Sequence, residues 1–187
     1  MNLANQLTLL RTLFIPLLVL VFYLPYSWRF PVVSLIFSLA AITDWLDGWV
    51  ARKYNQITPF GAFLDPVADQ LMVAVALVLL VEVHHTPWFA IPAVVIIGRE
   101  IVISALREWM AELGKRASVA VSMIGKIKTT AQMTAIIVLL LDNPEQPSFL
   151  TPIGYVALYV AALLTIWSMF LYLKAAWPDL RPGQAQD

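Results

Sequence analysis

Residues 31–83 read PVVSLIFSLAAITDWLDGWVARKYNQITPFGAFLDPVADQLMVAVALVLLVEV, and the mixture of apolar and acidic residues in that stretch decides the fold. It holds two apolar runs, Pro31 to Val50 and Ala62 to Val83. Each approaches the about 20 residues that a helix needs to cross a hydrocarbon core. Only helices and closed barrels satisfy their backbone groups in lipid, and barrel strands alternate apolar and polar residues, which these runs do not. Both are therefore read as helices. Asp44, Asp47, Asp65 and Asp69 nevertheless lie inside them. An ionised carboxylate at depth costs at least ~2.5 kcal/mol, so four of them demand compensation.

Working outward, four further apolar runs of similar length appear: Leu3 to Leu24, Trp88 to Leu106, Val121 to Leu141 and Leu150 to Leu173. The expectation is an all-α polytopic membrane protein with six transmembrane helices in a single domain, residues 1–187. Composition agrees: 60% of residues are apolar and 13% charged, against about 25% charged in soluble proteins. The breaks between runs carry turn chemistry, as in Pro25-Tyr-Ser, His84-His85-Thr86-Pro87 and Asp142-Asn-Pro-Glu-Gln-Pro. The first run is expected to remain as a span, since neither a basic stretch before it nor a small-x-small site after it marks a cleaved signal peptide. Lys and Arg set the orientation. Arg52, Lys53, Arg107, Lys115, Arg116, Lys126, Lys128, Lys174 and Arg181 gather on one side, and the other connections hold only Arg29. The positive-inside rule then places both termini in the cytoplasm. Trp28, Trp88 and Trp177 fall at span ends, where indole anchors at the headgroups.

Several function classes are excluded. Twelve basic residues balance twelve acidic ones, so nothing points to nucleic acid as a partner. With no Cys, and two adjacent His in a connection, thiolate chemistry and sulfur-bound metals drop out. Any metal must be bound by oxygen. Counting from the outer ends, Asp44 lies 13 residues past Pro31 and Asp69 14 residues before Val83. At about 1.5 Å per residue this predicts that they are level. Asp47 and Asp65 then form a second tier nearer the cytoplasm, each sharing a helix face with its neighbour. Four carboxylates presented by two antiparallel helices suit Mg²⁺, Mn²⁺ or Ca²⁺, with two ions sharing the ligands. Gly48 and Ala51 remove bulk beside them for a large ligand, and Arg52 on the next turn can fork onto a phosphate.

The string Asp44-x2-Asp47-Gly48-x2-Ala51-Arg52-x8-Gly61-x3-Asp65-x3-Asp69 resembles the signature of the CDP-alcohol phosphotransferase family, eight fixed residues at fixed gaps. The opening MNLANQLTLLR (1–11), GREIVISALRE (98–108) and GKIKTTAQ (125–132) resemble the bacterial branch that takes glycerol 3-phosphate as acceptor. The resemblance implies transfer of the phosphatidyl group from CDP-diacylglycerol to glycerol 3-phosphate, with release of CMP. It implies that Asp44, Asp47, Asp65 and Asp69 hold Mg²⁺ or Mn²⁺, two ions, and that Asp69 is the base for the acceptor hydroxyl. Asn5 and Thr8, with Arg11 on the same side of the first run near the nucleotide, would lie with Gly48, Ala51, Arg52 and Gly61 at CDP-diacylglycerol, and Arg99, Arg107 and Lys126 at the acceptor phosphate. It further implies a homodimer in the bacterial cytoplasmic (inner) membrane, with its active site facing the cytoplasm and lipid around it.

Alternatives stand beside some of these. Glu100 and Arg107, on one helix face with Ser104, could instead form a structural ion pair. Thr8 could serve helix–helix hydrogen bonding. Lys128, Thr129 and Gln132 could line the pocket or pack between helices. Two residues depart from the family pattern: Ala4 stands where Pro is common, and Gln70 where Lys often follows the last Asp. Another acceptor, namely serine, inositol phosphate or phosphatidylglycerol, would keep the chemistry, and a neutral or zwitterionic one would need fewer cations than Arg99, Arg107 and Lys126 provide. A divalent-cation transporter would use stacked Asp residues, but Arg52 and Arg107 beside them repel cations.

Overall fold

Long apolar runs that must satisfy their own backbone in lipid form helices, and the computed structural model has six: α1 (Leu3–Phe22), α2 (Arg29–Lys53), α3 (Pro59–His84), α4 (Pro87–Glu112), α5 (Met123–Leu141) and α6 (Leu150–Leu180). It describes residues 3–53, 59–112 and 123–180; the side chains at 3–5, 7, 45, 47–53, 59, 60, 62, 123–126, 175 and 178–180 lie outside that description. Of the apolar stretches within the described residues, Phe63–His84, Pro87–Glu112 and Leu150–Lys174 are long and apolar enough to cross a membrane. Thr8–Phe22 and Ile127–Leu141 are shorter apolar stretches.

Several helix ends differ from those of the apolar runs. α4 continues to Glu112 and α6 to Leu180, where the runs end at Leu106 and Leu173. A run stops where the hydrocarbon stops, whereas a helix continues as long as its own hydrogen bonds do. α1 instead ends at Phe22, two residues short of Leu24. The α3–α4 turn is short. His85 takes the left-handed conformation (φ 46) beyond the last residue of α3, and the Thr86 carbonyl accepts from Phe89 N and Ala90 N as α4 begins.

α1 packs on α2 and α3, α6 packs on α4 and α5, and α5 joins the two groups through α2 and α3. The core between them is made of Leu18, Phe37, Leu77, Phe89, Ile96, Leu139 and Leu158 among others. Across the α2–α5 contact the Ser34 hydroxyl donates to the Ile137 carbonyl at 2.8 Å. The outer surface carries many large apolar side chains, including Leu20, Leu35, Val94, Ile101, Val156 and Leu163. Water disfavours such a belt and lipid does not. Trp28, Trp88 and Trp177 are all exposed at helix ends, as interfacial anchors are.

Candidate active site

Polar side chains that are buried among apolar helices locate the chemistry. Thr8 and Arg11, one turn apart on α1, are each 1% exposed. The Thr8 hydroxyl donates to Asp65 Oδ1 on α3 at 2.6 Å, and Arg11 Nη1 lies 2.6 Å from Asp44 Oδ1 on α2. α1 thus reaches the carboxylates of two different helices from one face. Asp69, one turn beyond Asp65, lines a small cavity with Arg11, Ala40, Ala41 and Met133, and it lies within electrostatic reach of Asp44, Glu100 and Lys128. The alanines keep that wall thin. Gly61 is buried at the start of α3.

On its other side Asp69 opens into a second cavity of about 80 Å³, lined by Gln70, Glu100, Lys128, Thr129 and Gln132. Lys128 of α5 donates to Glu100 Oε1, which Arg99 also approaches at 3.3 Å. Gln70 Nε2 donates to Ser104 Oγ at 3.0 Å, tying α3 to α4 where the family pattern more often has a Lys. The same Gln70 and Glu100 border a larger apolar cleft between α3 and α4.

Arg99 and Arg107 flank one aromatic ring. The guanidinium carbons lie 5.6 Å and 5.1 Å from the Tyr172 centroid, and Arg107 Nη2 donates to the Tyr172 hydroxyl at 2.9 Å. Arg99 Nη2 donates to Ser168 Oγ at 3.1 Å, and its Nε is buried without a partner among the described residues. The Glu100–Arg107 pair considered from the sequence is replaced by Glu100–Lys128. Residues seven apart lie about 10.5 Å apart along a helix, whereas α5 brings Lys128 level with Glu100.

Of the residues singled out in the sequence, the structure joins Thr8 to Asp65, sets Asp69 near Asp44, and places Arg99 and Arg107 around Tyr172. The side chains of Asn5, Asp47, Gly48, Ala51, Arg52 and Lys126 lie outside the described residues. Among the described residues no group of three or more acidic or imidazole side chains gathers as metal ligands. The chemistry of the donors, carboxylate oxygens without sulfur or imidazole, nonetheless suits a hard divalent cation. Two contributors were not assigned from the sequence: Arg11 as the partner of Asp44, and Tyr172 as the platform for two guanidiniums. The sequence sets Arg11 beside Asn5 and Thr8 near the nucleotide, but its pairing with Asp44 depends on how two helices meet. Nothing in the spacing marked the second.

Comparison with known proteins agrees with the motif. The profile described as CDP-alcohol phosphatidyltransferase matches residues 1–167. A Pectobacterium atrosepticum protein named CDP-diacylglycerol–glycerol-3-phosphate 3-phosphatidyltransferase is 59% identical over 179 residues, covering 96% of this chain and 97% of its own. A Sodalis glossinidius protein of the same name is 59% identical over 180 residues, covering 96% and 97%. One from Pseudomonas fluorescens is 57% identical over 182 residues, covering 97% and 93%. A signature spread over α2 and α3, inside a match that runs nearly end to end, leaves one conclusion: the chain belongs to the CDP-alcohol phosphatidyltransferase family.

Proposed function

We propose that this protein transfers the phosphatidyl group of CDP-diacylglycerol to glycerol 3-phosphate, giving phosphatidylglycerol phosphate and CMP. The observation that carries the reading is the position of Asp69, between the α1–α2–α3 carboxylate contacts and a polar cavity bordered by Lys128, Glu100 and Gln132. Near-identity of length and 57–59% identity to relatives of that name support the substrates.

In the reaction an acceptor hydroxyl oxygen bonds to the phosphatidyl phosphorus as the bond to the CMP oxygen breaks, and the hydroxyl proton passes to Asp69. A carboxylate is a weak base for an alcohol, so positioning supplies much of the rate. Asp44, Asp47, Asp65 and Asp69 would hold Mg²⁺ or Mn²⁺, two ions, which when bound neutralise charge on the diphosphate and the leaving group. Arg11 and Thr8 hold Asp44 and Asp65 in place from α1. Asn5, Thr8, Gly48, Ala51, Arg52 and Gly61 border the nucleotide lipid, with Arg52 on its phosphates. Arg99, Arg107 and Lys126 take the acceptor phosphate, and the spare buried Nε of Arg99 is a donor suited to it. All six helices span the bacterial inner membrane with both termini cytoplasmic, the site opens toward the cytoplasm, and the protein acts as a homodimer.

The test is CMP release by purified protein in detergent with CDP-diacylglycerol and Mg²⁺ or Mn²⁺, comparing glycerol 3-phosphate with serine and inositol phosphate. Metal-dependent release with glycerol 3-phosphate, lost in Asp69→Asn, is expected. Release with another acceptor alone would overturn the acceptor assignment, and no release with any acceptor by folded protein would overturn the reaction.

A further inference from the structure

The cavity beside Asp69 has a wall that the proposed reaction does not use. Gln132 sits on α5 one turn beyond Lys128, on the same helix face, and is 4% exposed. Its Oε1 is buried without a hydrogen-bond partner among the described residues. An amide oxygen in a low-dielectric interior is disfavoured unless something donates to it, so its persistence beside a cavity points to a ligand that does. Neighbouring polar groups are already engaged: Gln70 with Ser104, and Glu100 with Lys128 and Arg99.

The donor this oxygen suits is neutral. An ammonium group would have to shed its hydration to enter a cavity where Lys128 already pairs with Glu100, whereas a hydroxyl brings a proton without net charge. Asp69 and Gln132 face one cavity, as the two oxygens of a vicinal diol require. We propose that Gln132 determines acceptor specificity by accepting a hydrogen bond at Oε1 from the hydroxyl adjacent to the one that reacts at Asp69. This rests on the glycerol 3-phosphate reading above, in which the second hydroxyl is that of the middle carbon. Gln132 is a positioning residue in this scheme: it orients the acceptor, and no bond forms or breaks on it.

The experiment compares kcat/KM for glycerol 3-phosphate with that for 1,3-propanediol monophosphate, which lacks the middle hydroxyl, in wild-type protein and in Gln132→Met. Met matches the side chain in length and shape but offers no comparable acceptor. Wild-type protein should prefer glycerol 3-phosphate by about 30-fold, the size expected for one buried oxygen left unpaired by the analogue. Gln132→Met should bring that ratio close to one, through a large loss with glycerol 3-phosphate and a much smaller one with the analogue. Parallel losses with both acceptors, or an unchanged ratio, would overturn the assignment, because a side chain that only packs helices affects both acceptors alike. If Gln132→Met does not fold, Gln132→Asn, which withdraws the oxygen by one methylene, is read on the same ratio. Wild-type protein that uses both acceptors equally would overturn the assignment alone. Wild-type protein that releases no CMP with either would overturn the reaction itself, and this assignment with it.

Discussion

Arg11 Nη1 lies 2.6 Å from Asp44 Oδ1, joining a guanidinium that is 1% exposed to a carboxylate that is 43% exposed. The asymmetry matters. A cation held this deep by its own helix is preorganised, and its partner remains open to whatever enters the site. Arg11 also borders the cavity that Asp69 lines, so one guanidinium moderates the charge of two carboxylates. Arg11→Met should therefore lower kcat/KM for CMP release. Solvent at Asp44 screens the pair, which keeps the loss below the 3–5 kcal/mol of a fully buried one, at about 2 kcal/mol or roughly 30-fold. Arg11→Lys retains the charge without the fork and should lose less. Steady-state kinetics in detergent checks both, and an Arg11→Met enzyme with wild-type kcat/KM would show that Asp44 needs no such partner.

Arg99 and Arg107 share the Tyr172 ring but differ in burial, the first 7% exposed and the second on the surface. Water weakens the hold of Arg107 on an anion more than that of Arg99. Arg99→Lys should raise KM for glycerol 3-phosphate about tenfold and Arg107→Lys about threefold, with kcat less affected, because a lost phosphate contact is chiefly a loss of binding. Tyr172→Phe removes the hydroxyl that Arg107 meets at 2.9 Å and keeps the ring, so its effect should be smaller than that of Arg99→Lys. A Tyr172→Phe enzyme as impaired as Arg99→Lys would move the decisive contact from the ring to the hydroxyl.

What was legible in the sequence follows from what is local. Six apolar runs mark six helices because a lipid-facing backbone has few options, and i,i+4 spacing puts Asp65 and Asp69 on one face without knowledge of any other helix. Partner choice is a different matter. Whether Glu100 takes Arg107 from its own helix or Lys128 from α5, and whether Thr8 faces Asp65, depends on how each helix is rotated about its axis. Apolar residues all round a lipid-exposed helix leave that rotation unmarked. Helix ends such as Glu112 and Leu180 are missed for a related reason, since hydropathy reports the edge of the hydrocarbon and not the last backbone hydrogen bond.

The loop after α5 carries a carboxylate with its own donors. Asp142 accepts from Ser148 N at 3.2 and 3.3 Å and from the Thr151 hydroxyl, and it caps the approach to α6. Burial pushes its carboxyl up, but hydrogen bonds from Thr151, Ser148 and the Asn143 backbone outweigh this and hold it below the ordinary carboxylate value. A carboxyl with a depressed pKa in the folded state adds stability that is present above its unfolded pKa, about 3.9. That stability is lost as pH falls through the folded value. The difference in unfolding temperature between wild type and Asp142→Asn should thus be constant above about pH 5 and shrink below about pH 4. His84, at the end of α3, is a titratable group that senses this carboxylate, so His84→Gln in both backgrounds removes its contribution. A gap that stays constant down to the lowest accessible pH would show that Asp142 acts without its charge.

Two glycines should respond in opposite directions to the same methyl group. At Gly154 on α6 a Cβ would stand 2.5 Å from Cγ and 2.6 Å from Cδ2 of Leu139 on α5. Leu139 is 1% exposed in the core, and its Cγ cannot move without the rest of the side chain. The glycine is what lets α6 approach α5 closely. Overpacking of this kind destabilises by about 1–3 kcal/mol, more than the 0.5–1 kcal/mol that alanine gains over glycine in a helix. At Gly98 on α4 no heavy atom of the described residues outside the neighbouring residues and the helix's own backbone lies within 4 Å of the added carbon, so only the helix gain remains. Gly154→Ala should lower the unfolding temperature in detergent, and Gly98→Ala should leave it unchanged or raise it. Shortening Leu139 opens the space that the methyl needs, so the loss in Gly154→Ala/Leu139→Ala should fall short of the sum of the single losses by about 1 kcal/mol or more. Additive losses would mean that the helices separate to admit the methyl, and that Gly154 does not set the α5–α6 distance.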